Sequence, residues 1–327
     1  MIRRPLVWAA LLLVVTTALA LVGGTESISL ERAFQAEGLD RTILRDVRLP
    51  RVALAALAGA GLSTVGAAFQ ALLRNPLAEP YILGVSGGAA FGATTAIALG
   101  LGTATFLGAA LLPVASLVGG LVATSLVYAI ARSTRGGSSS TTILLAGVMI
   151  NSIAAALITF QKALVPPSRA QQLLRWLVGF VDLPHLPSLA AGSVYVAIGC
   201  AVLLQDAARL NLLALGDETA GTLGMDVKRL ERRVFFASSC VVGAIVSMTG
   251  LIGFVGLVVP HAVRGLIGYD QRRVMPVSLL AGAAMVVGCD LLARISFRSL
   301  GTEPPVGAVT AIIGGPTFLF LLRRNSR

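Results

Sequence analysis

The sequence contains stretches without any charged residue that are too long for the interior of an ordinary soluble domain. The longest of them, residues 80–131, has no Asp, Glu, Lys or Arg. A helix that crosses a bilayer needs roughly 20 mostly apolar residues, so this run predicts two crossings, broken near residues 100–105. In lipid every backbone polar group must be bonded within the chain. The run is therefore expected to be helical.

The same criterion, applied along the whole chain, predicts ten helices. The apolar runs are residues 5–25, 52–73, 80–131, 136–161, 183–205, 234–263, 274–289 and 304–322. The helix of the run 274–289 is expected to continue past Asp290 and Arg294. The run 234–263 is long enough for one full crossing and a shorter helix, broken near residues 249–250. The sequence thus predicts an all-α polytopic membrane protein with about ten transmembrane helices, in which residues 1–327 form a single transmembrane domain.

The composition excludes several classes of protein. Only 13% of the residues are charged and 56% are hydrophobic, whereas soluble domains have about 25% charged and 45–50% apolar residues. An ordinary cytosolic enzyme, a disordered chain and a nucleic-acid binder are therefore excluded. The net charge of +11 comes from short basic clusters between apolar runs, which is typical of the loops of membrane proteins.

The first apolar run has two interpretations. Arg3 and Arg4 precede it and Ala18-Leu19-Ala20 lies near its end, a pattern that also fits a cleaved signal peptide. The apolar part of a signal peptide has only about 7–15 residues, and this run is longer. A retained first helix is the favoured interpretation.

The basic residues predict the orientation in the membrane. Lys and Arg are enriched in cytoplasmic loops, and most of the 26 basic residues fall inside when the N-terminus is placed in the cytoplasm. An even number of helices then places the C-terminus inside as well. Both termini are expected to be cytoplasmic.

Residues that carry enzyme chemistry are scarce. The three cysteines lie separately within apolar runs, the chain has two histidines, and neither of its two lysines belongs to a phosphate-binding loop of the G-x-x-x-x-G-K-[ST] type. We therefore predict no catalytic residue, no cofactor and no metal site. If transport uses ATP, another subunit has to bind it.

Two ionisable residues are placed in apolar surroundings. Asp290 is the one carboxylate expected within a span, and Arg294 follows one turn later, which predicts a helical ion pair near the outer surface. His261 ends an apolar helix in a Pro-His-x-x-Arg pattern. A structural role for His261 is favoured over a role as ligand or proton carrier.

A segment of different character lies between the sixth and seventh helices. Residues 208–232 mix apolar and acidic residues, and they are too polar to cross the membrane. Asp217 and Glu218 are expected in the first turn of a short helix, where the helix dipole favours them. Such a surface helix suits the docking of a cytoplasmic partner.

Several motifs, taken in order along the chain, resemble one transporter family. They are Arg48-Leu49-Pro50-Arg51, Arg74-Asn75-Pro76-Leu77-Ala78-Glu79-Pro80 with Leu83-Gly84-Val85-Ser86, Leu144-Leu145-Ala146-Gly147-Val148, Ala214-Leu215-Gly216, Gly253-Phe254-Val255-Gly256-Leu257-Val258-Val259-Pro260-His261, and Pro305-Val306-Gly307-x-x-Thr310-Ala311-x-x-Gly314. The set resembles the permease subunits of the ABC importers for iron-siderophores, haem and cobalamin, which are type II importers. The resemblance covers nearly the whole chain.

The resemblance implies an assembly in the bacterial inner membrane. Two copies of the permease would form a homodimer with the translocation path at its axis. Two copies of a separate ATPase would dock inside, and a periplasmic or lipid-anchored binding protein would deliver the substrate outside. Motion driven by ATP would open and close the path by alternating access.

The resemblance also implies roles for particular residues. The ATPase-coupling residues are Gly216, Asp217, Glu218, Ala220, Leu223 and Gly224; the cytoplasmic gate is Ser140 and Thr141; the binding-protein docking residues are Arg48, Arg51 and Arg294. The sequence departs from some relatives at Gly87, where they carry a polar side chain. The motifs are common to siderophore, haem and cobalamin permeases and do not select among these cargoes.

The alternative function is a secondary transporter driven by a proton or sodium gradient. Such a transporter needs titratable or ion-coordinating residues near the middle of the membrane, and only Asp290 is available. The sequence therefore favours the ABC permease.

Overall fold

The structure, a computed structural model, describes residues 3–26, 29, 33, 38–81, 83–101, 106–133 and 140–325. Within these ranges it is helical and contains no β-strand. The helices are α1 (Arg3–Val22), α2 (Leu39–Thr42), which continues through a π-helical turn (Ile43–Arg48) into α3 (Leu49–Leu72), α4 (Val85–Ala98), α5 (Phe106–Ser133), α6 (Ser140–Leu164), α7 (Pro167–Val178), α8 (Leu186–Gln205), α9 (Ala207–Leu213), α10 (Asp217–Thr222), α11 (Val227–Thr249), α12 (Val255–Ile267), α13 (Gln271–Leu300) and α14 (Val306–Asn325).

Each predicted apolar run coincides with helix in the structure. In the described part of the chain, seven helical stretches are long and apolar enough to cross a membrane: α1, the stretch from α2 to α3, α5, α6, α8, α11 and α13. Three shorter apolar helices, α4, α12 and α14, occupy the remaining predicted positions. The all-helical membrane fold is thus confirmed, whereas the number of crossings stays a prediction.

The contacts between helix ends define two sides of the molecule. On one side the end of α1 meets the start of α3 and the end of α13, through hydrogen bonds from Arg48 and Arg294. On the other side Arg74, just after α3, pairs with Asp217 of α10. Helix α1 therefore begins, and α14 ends, on the side that carries α9 and α10. The start of α1 and the end of α14 thus lie on the same side, and the cytoplasmic location of that side stays a prediction.

Helix α3 forms the centre of the bundle because small residues let neighbouring helices approach it closely. A Cβ atom on Gly59 would lie 2.0 Å from the carbonyl oxygen of Gly282, and one on Gly66 would lie 1.9 Å from that of Gly256. Ser63 Oγ donates a hydrogen bond to the carbonyl of Ser278 at 2.8 Å. Close backbone approach of this kind stabilises helix pairs in lipid, where apolar burial gives little driving force.

The outward-facing surface is apolar rather than polar. Val7, Trp8 and Val14 of α1 are exposed, and so are Leu145 and Met149 of α6. A soluble protein rarely leaves contiguous apolar patches of this extent in water. The exposed apolar faces therefore fit contact with lipid or with another membrane subunit.

Two boundaries can be compared with the sequence prediction. Helix α13 begins at Gln271 and ends at Leu300. It continues past Asp290 and Arg294, as predicted, and these two residues form an ion pair within the helix. The predicted segment 208–232 also ends within α11, which starts at Val227. Asp226 caps that helix by accepting a hydrogen bond from the backbone N–H of Arg229.

Candidate functional site

The segment between α8 and α11 folds into two short helices with tight turns at both ends of the second. Gly216 has a φ of 106° and Gly224 a φ of 82°, a backbone region that is open to glycine and strained for other residues. Asp217 and Glu218 occupy the first turn of α10, as predicted. Ala220 is fully buried. The segment therefore has a fixed shape and is not a flexible linker.

Two side chains, one on α10 and one in the turn after it, are exposed. Leu223, in that turn, is 60% exposed, and Glu218 is exposed as well. The exposed carboxylate lies at the start of this short helix and the exposed leucine lies just after its end. A charged group and an apolar group are thus both accessible at this surface.

Ion pairs and hydrogen bonds tie this segment to the long helices. Arg74 Nη2 lies 2.7 Å from Asp217 Oδ1, which connects the end of α3 to the start of α10. Asn211 of α9 donates from Nδ2 to Asp270 Oδ1 at 2.7 Å, and its own Oδ1 accepts from the backbone N–H of Gln271 at 2.8 Å. A displacement of the segment would therefore be passed to α3 and α13.

Asp270, at the start of α13, is held in its ionised form. The hydrogen bond from Asn211 is the largest of the effects that lower the pKa of the Asp270 carboxyl. The backbone N–H of Arg272 and the charges of Arg272 and Arg273 lower it further. The link between α9 and α13 thus includes a stable negative charge.

The predicted gate residues lie at the first turn of α6. Ser140 is the first residue of that helix, and Thr141 is exposed. The loop before them, residues 134–139, lies outside the described residues. Their place at a helix end is compatible with a gate, and their role stays a prediction.

A cavity of about 480 Å³ lies between α4, α6 and α7. It is lined by small, weakly polar and apolar residues: Tyr81, Gly87, Ala90, Val148, Asn151, Ser152, Ala155, Ile158, Thr159, Leu177 and Leu251. A Cβ atom on Gly87 would lie 1.9 Å from Oδ1 of Asn151. The amide of Asn151, on the facing helix, thus occupies the space that a side chain at position 87 would need.

The sequence reasoning did not assign a role to α7. It combines leucines and a tryptophan with Arg169, Arg175 and two glutamines. This mixture of apolar and polar residues within one helix is typical of an amphipathic helix. That pattern could have identified the helix. Leu177 of α7 and Leu251 of the neighbouring turn line the cavity, so α7 forms part of its wall.

The three predicted docking arginines are brought together on the opposite side of the molecule. Arg51 Nε and Arg294 Nε lie 3.0 and 2.9 Å from the two oxygens of Asp290. Arg51 Nη2 also contacts Glu303 at 2.9 Å. Asp290 is 1% exposed. It is the centre of a buried ion-pair network.

Two of these arginines cap the end of α1. Arg48 donates to the carbonyls of Leu21 and Val22 at 2.7 and 2.6 Å. Arg294 donates to those of Ala20 and Gly23, both at 3.0 Å. The last carbonyls of a helix have no partner within the helix, and these two guanidinium groups supply one. Most of their hydrogen-bonding capacity is therefore used inside the chain.

The two ionisable residues considered for a transport role, Asp290 and His261, are packed against other side chains of the protein. Asp290 is buried and its charge is balanced by two arginines. His261 is buried and its ring lies edge-on to that of Phe318, with 5.5 Å between the ring centroids. Among the described residues no three His, Cys, Asp or Glu side chains form a group that could hold a metal ion.

Comparison with known proteins gives a consistent set of similarities. The model of the FecCD transport family matches residues 12–324. The chain is 42% identical over 290 residues to the cobalamin import system permease protein BtuC of Halobacterium salinarum, covering 86% of this chain and 74% of that protein. It is 37% identical to the ferric enterobactin transport system permease protein FepD of Escherichia coli, covering 97% and 94%. It is 35% identical to the hemin transport system permease protein HmuU of Yersinia pestis, covering 86% and 83%.

The fold also matches a solved structure along its whole length. That structure is described as an inward-facing metal-chelate type ABC transporter; the TM-score is 0.86 at 30% sequence identity, with 99% of each chain covered.

Proposed function

This chain belongs to the FecCD transport family of inner-membrane ABC importer permeases, and on that premise we propose that it moves a metal chelate inward by alternating access. The cargo class is an iron-siderophore, haem or cobalamin. The observation that supports the proposal most strongly is the agreement of the whole fold with an inward-facing metal-chelate transporter. Since the buried carboxylate Asp290 is neutralised by two arginines, a transporter driven by an ion gradient is not favoured.

We further propose that two copies of the chain form the path together. Helix α6 supplies small polar residues to the cavity and exposes large apolar residues, including Leu145, Met149 and Phe160. A two-fold interface uses the same surface on both subunits. If α6 forms this interface, a second copy would cover the apolar face of α6, and the cavities of the two copies would face each other and form one path. The weakly polar lining suits a bulky chelate that has to pass without being retained.

The coupling step follows from the contacts of α9 and α10. An ATPase that binds at Gly216, Asp217, Glu218, Ala220, Leu223 and Gly224 would move a segment of fixed shape. The Arg74–Asp217 ion pair and the hydrogen bonds of Asn211 would pass that motion to α3 and α13. The chain itself performs no bond chemistry in this scheme; it converts the motion of its partners into opening and closing.

Uptake by the reconstituted assembly tests the proposal. The chain is placed in liposomes with its ATPase and binding protein, and the entry of radiolabelled cobalamin, haem and a ferric siderophore is measured with and without ATP. We expect uptake of one chelate class only when ATP and all three components are present. Uptake by the chain alone, driven by a proton or sodium gradient, would establish the secondary transporter instead.

The gate assignment predicts a crosslink between two copies of the chain. Cys200, Cys240 and Cys289 are first replaced, and Ser140 or Thr141 is changed to cysteine. Identical residues near a two-fold axis meet their own copies, so we expect a disulfide-linked dimer in at least one nucleotide state. Cysteine at position 198, on the exposed face of α8, is the control and should not crosslink. Absence of the crosslink at both gate positions in every state would refute the assignment.

Docking of the binding protein at Arg48, Arg51 and Arg294 also stays a prediction. It can be tested by a substitution that leaves the buried ion pairs of Asp290 intact. Glu303 is 30% exposed and pairs with Arg51, so Glu303→Gln would release one arginine N–H group without breaking the Asp290 network. We expect the association rate with the binding protein to rise roughly two-fold or more at low salt, and to lose this gain at high salt. Asp182→Asn makes the same charge change on the same side, outside the cluster. Equal rates for the two variants would argue against docking at these arginines.

A further inference from the structure

A groove on the outer surface of α8 and α11 combines an apolar wall with a cationic end. Its volume is about 590 Å³. Tyr195 and Ile198 of α8 and Phe236 of α11 form its apolar part, and Arg229, Arg232 and Arg233 lie at one end. Of the described residues that line the groove, none is acidic. We propose that this arginine-ended groove binds one anionic phospholipid of the leaflet on the side of α9 and α10.

The dimensions of the groove fit one leaflet. Its lining on α11 extends from Arg229 to Cys240, which is about 16 Å along a helix at 1.5 Å per residue. The hydrocarbon core of a bilayer is roughly 30 Å thick, so the groove spans about half of it. An acyl chain would lie along Tyr195 and Phe236, whose side chains are about half exposed, while the headgroup would meet the arginines.

The positive charges at the end of the groove favour the binding of an anion. Arg229, Arg232 and Arg233 are spaced i, i+3 and i+4, so they share one face of α11, where like charges repel one another. Arg233 Nε lies 3.1 Å from Asp206, a fully buried carboxylate that also pairs with Arg209. Asp206 is thus shared between two arginines, while Arg229 and Arg232 remain exposed on the surface.

A phospholipid explains the arrangement better than a protein partner does. The basic groups are confined to the end where the bilayer headgroups would lie, and the rest of the lining is apolar. Arginine suits a phosphate because its planar fork donates two parallel hydrogen bonds. Basic pockets between helices on the cytoplasmic side of membrane proteins bind anionic headgroups. The site is independent of which cargo the protein carries.

Native mass spectrometry of the detergent-extracted full chain tests the proposal, with dioleoyl phosphatidylglycerol and dioleoyl phosphatidylcholine as probes. We expect the wild type to bind one phosphatidylglycerol molecule more tightly than phosphatidylcholine. Each basic residue near an anionic surface strengthens binding about five-fold, so Arg229→Gln with Arg232→Gln should weaken this binding roughly 25-fold. Lys228→Gln with Arg272→Gln removes two charges on the same side but outside the groove, and it should bind as the wild type does.

A second variant tests the apolar part of the site. Ala237→Phe fills the groove without changing any charge and should also weaken the binding of phosphatidylglycerol, with a melting temperature that shows the variant is folded. The proposal is overturned if both lipids bind equally, or if the control pair of substitutions weakens binding as much as the arginine pair does. It is also overturned if Ala237→Phe has no effect, because the arginines would then act only as a basic surface.

Discussion

Reversing the two acidic residues of α10, Asp217→Lys with Glu218→Lys, is expected to reduce ATP-driven uptake about ten-fold or more. Both carboxylates lie in the first turn of a short helix, and Leu223, just after the end of that helix, is exposed. If basic groups of the ATPase face these two acids, charge reversal would place lysines opposite them. Like charges brought together across an interface cost several kcal/mol. The measurements are uptake in liposomes and copurification of the ATPase with the variant.

A control variant distinguishes the loss of the docking surface from the loss of the Arg74–Asp217 ion pair. Arg74→Gln also breaks the contact with Asp217 but leaves the acidic surface of α10 unchanged. The side chains of Arg74 and Asp217 are 39% and 50% exposed, and ion pairs this exposed contribute only about 0–1 kcal/mol to stability. Arg74→Gln should therefore assemble with the ATPase. Full uptake and normal copurification by the double lysine variant would mean that this segment is not the coupling surface.

Replacement of Asp290 by asparagine is expected to destabilise the fold by ~3–5 kcal/mol. The change keeps the shape of the side chain but removes the negative charge that Arg51 and Arg294 share at 3.0 and 2.9 Å. Both guanidinium groups would then be left largely buried without their carboxylate, which is the costly way to break such a network. The free energy of unfolding in detergent, measured by chemical denaturation, checks this prediction.

The exposed pair formed by Arg175 and Asp182 is the matched control. It lies on the same side of the molecule, at 3.1 Å, with side chains that are 62% and 60% exposed. Asp182→Asn should change the free energy of unfolding by less than about 1 kcal/mol. If Asp290→Asn were no less stable than this control, the buried network would not be what holds the end of α1 to α3 and α13.

The positions of the helices could be predicted from the sequence because they depend on local composition. Long runs without charge can satisfy their backbone in lipid only as helices, and every predicted run contains one in the structure. The pairing of Asp290 with Arg294 was predictable for the same reason, since residues i and i+4 of a helix are neighbours. The short acidic helix at Asp217 was likewise predictable from charge at a helix start.

Contacts between distant residues were decided by the tertiary structure. Arg51 reaches Asp290 across 239 positions in the sequence, and Arg48 caps the carbonyl of Leu21, which belongs to another helix. The sequence placed these arginines at helix ends. It did not indicate that their guanidinium groups point inward, because side-chain direction depends on which helices pack together.

The residues that line the cavity and the groove could be located in the sequence, but their arrangement depends on the tertiary structure. The sequence shows a glycine at position 87, but only the packing of α4 against α6 brings Asn151 into the space beside it. It likewise contained Arg229, Arg232 and Arg233 close together, but only the packing of α8 against α11 sets them at the end of an apolar groove.

The composition and order of the chain thus determined that it forms apolar helices, while the tertiary structure decided which of them meet. The physical reason is that small residues are frequent on many of these helices, and in lipid such faces permit several alternative pairings.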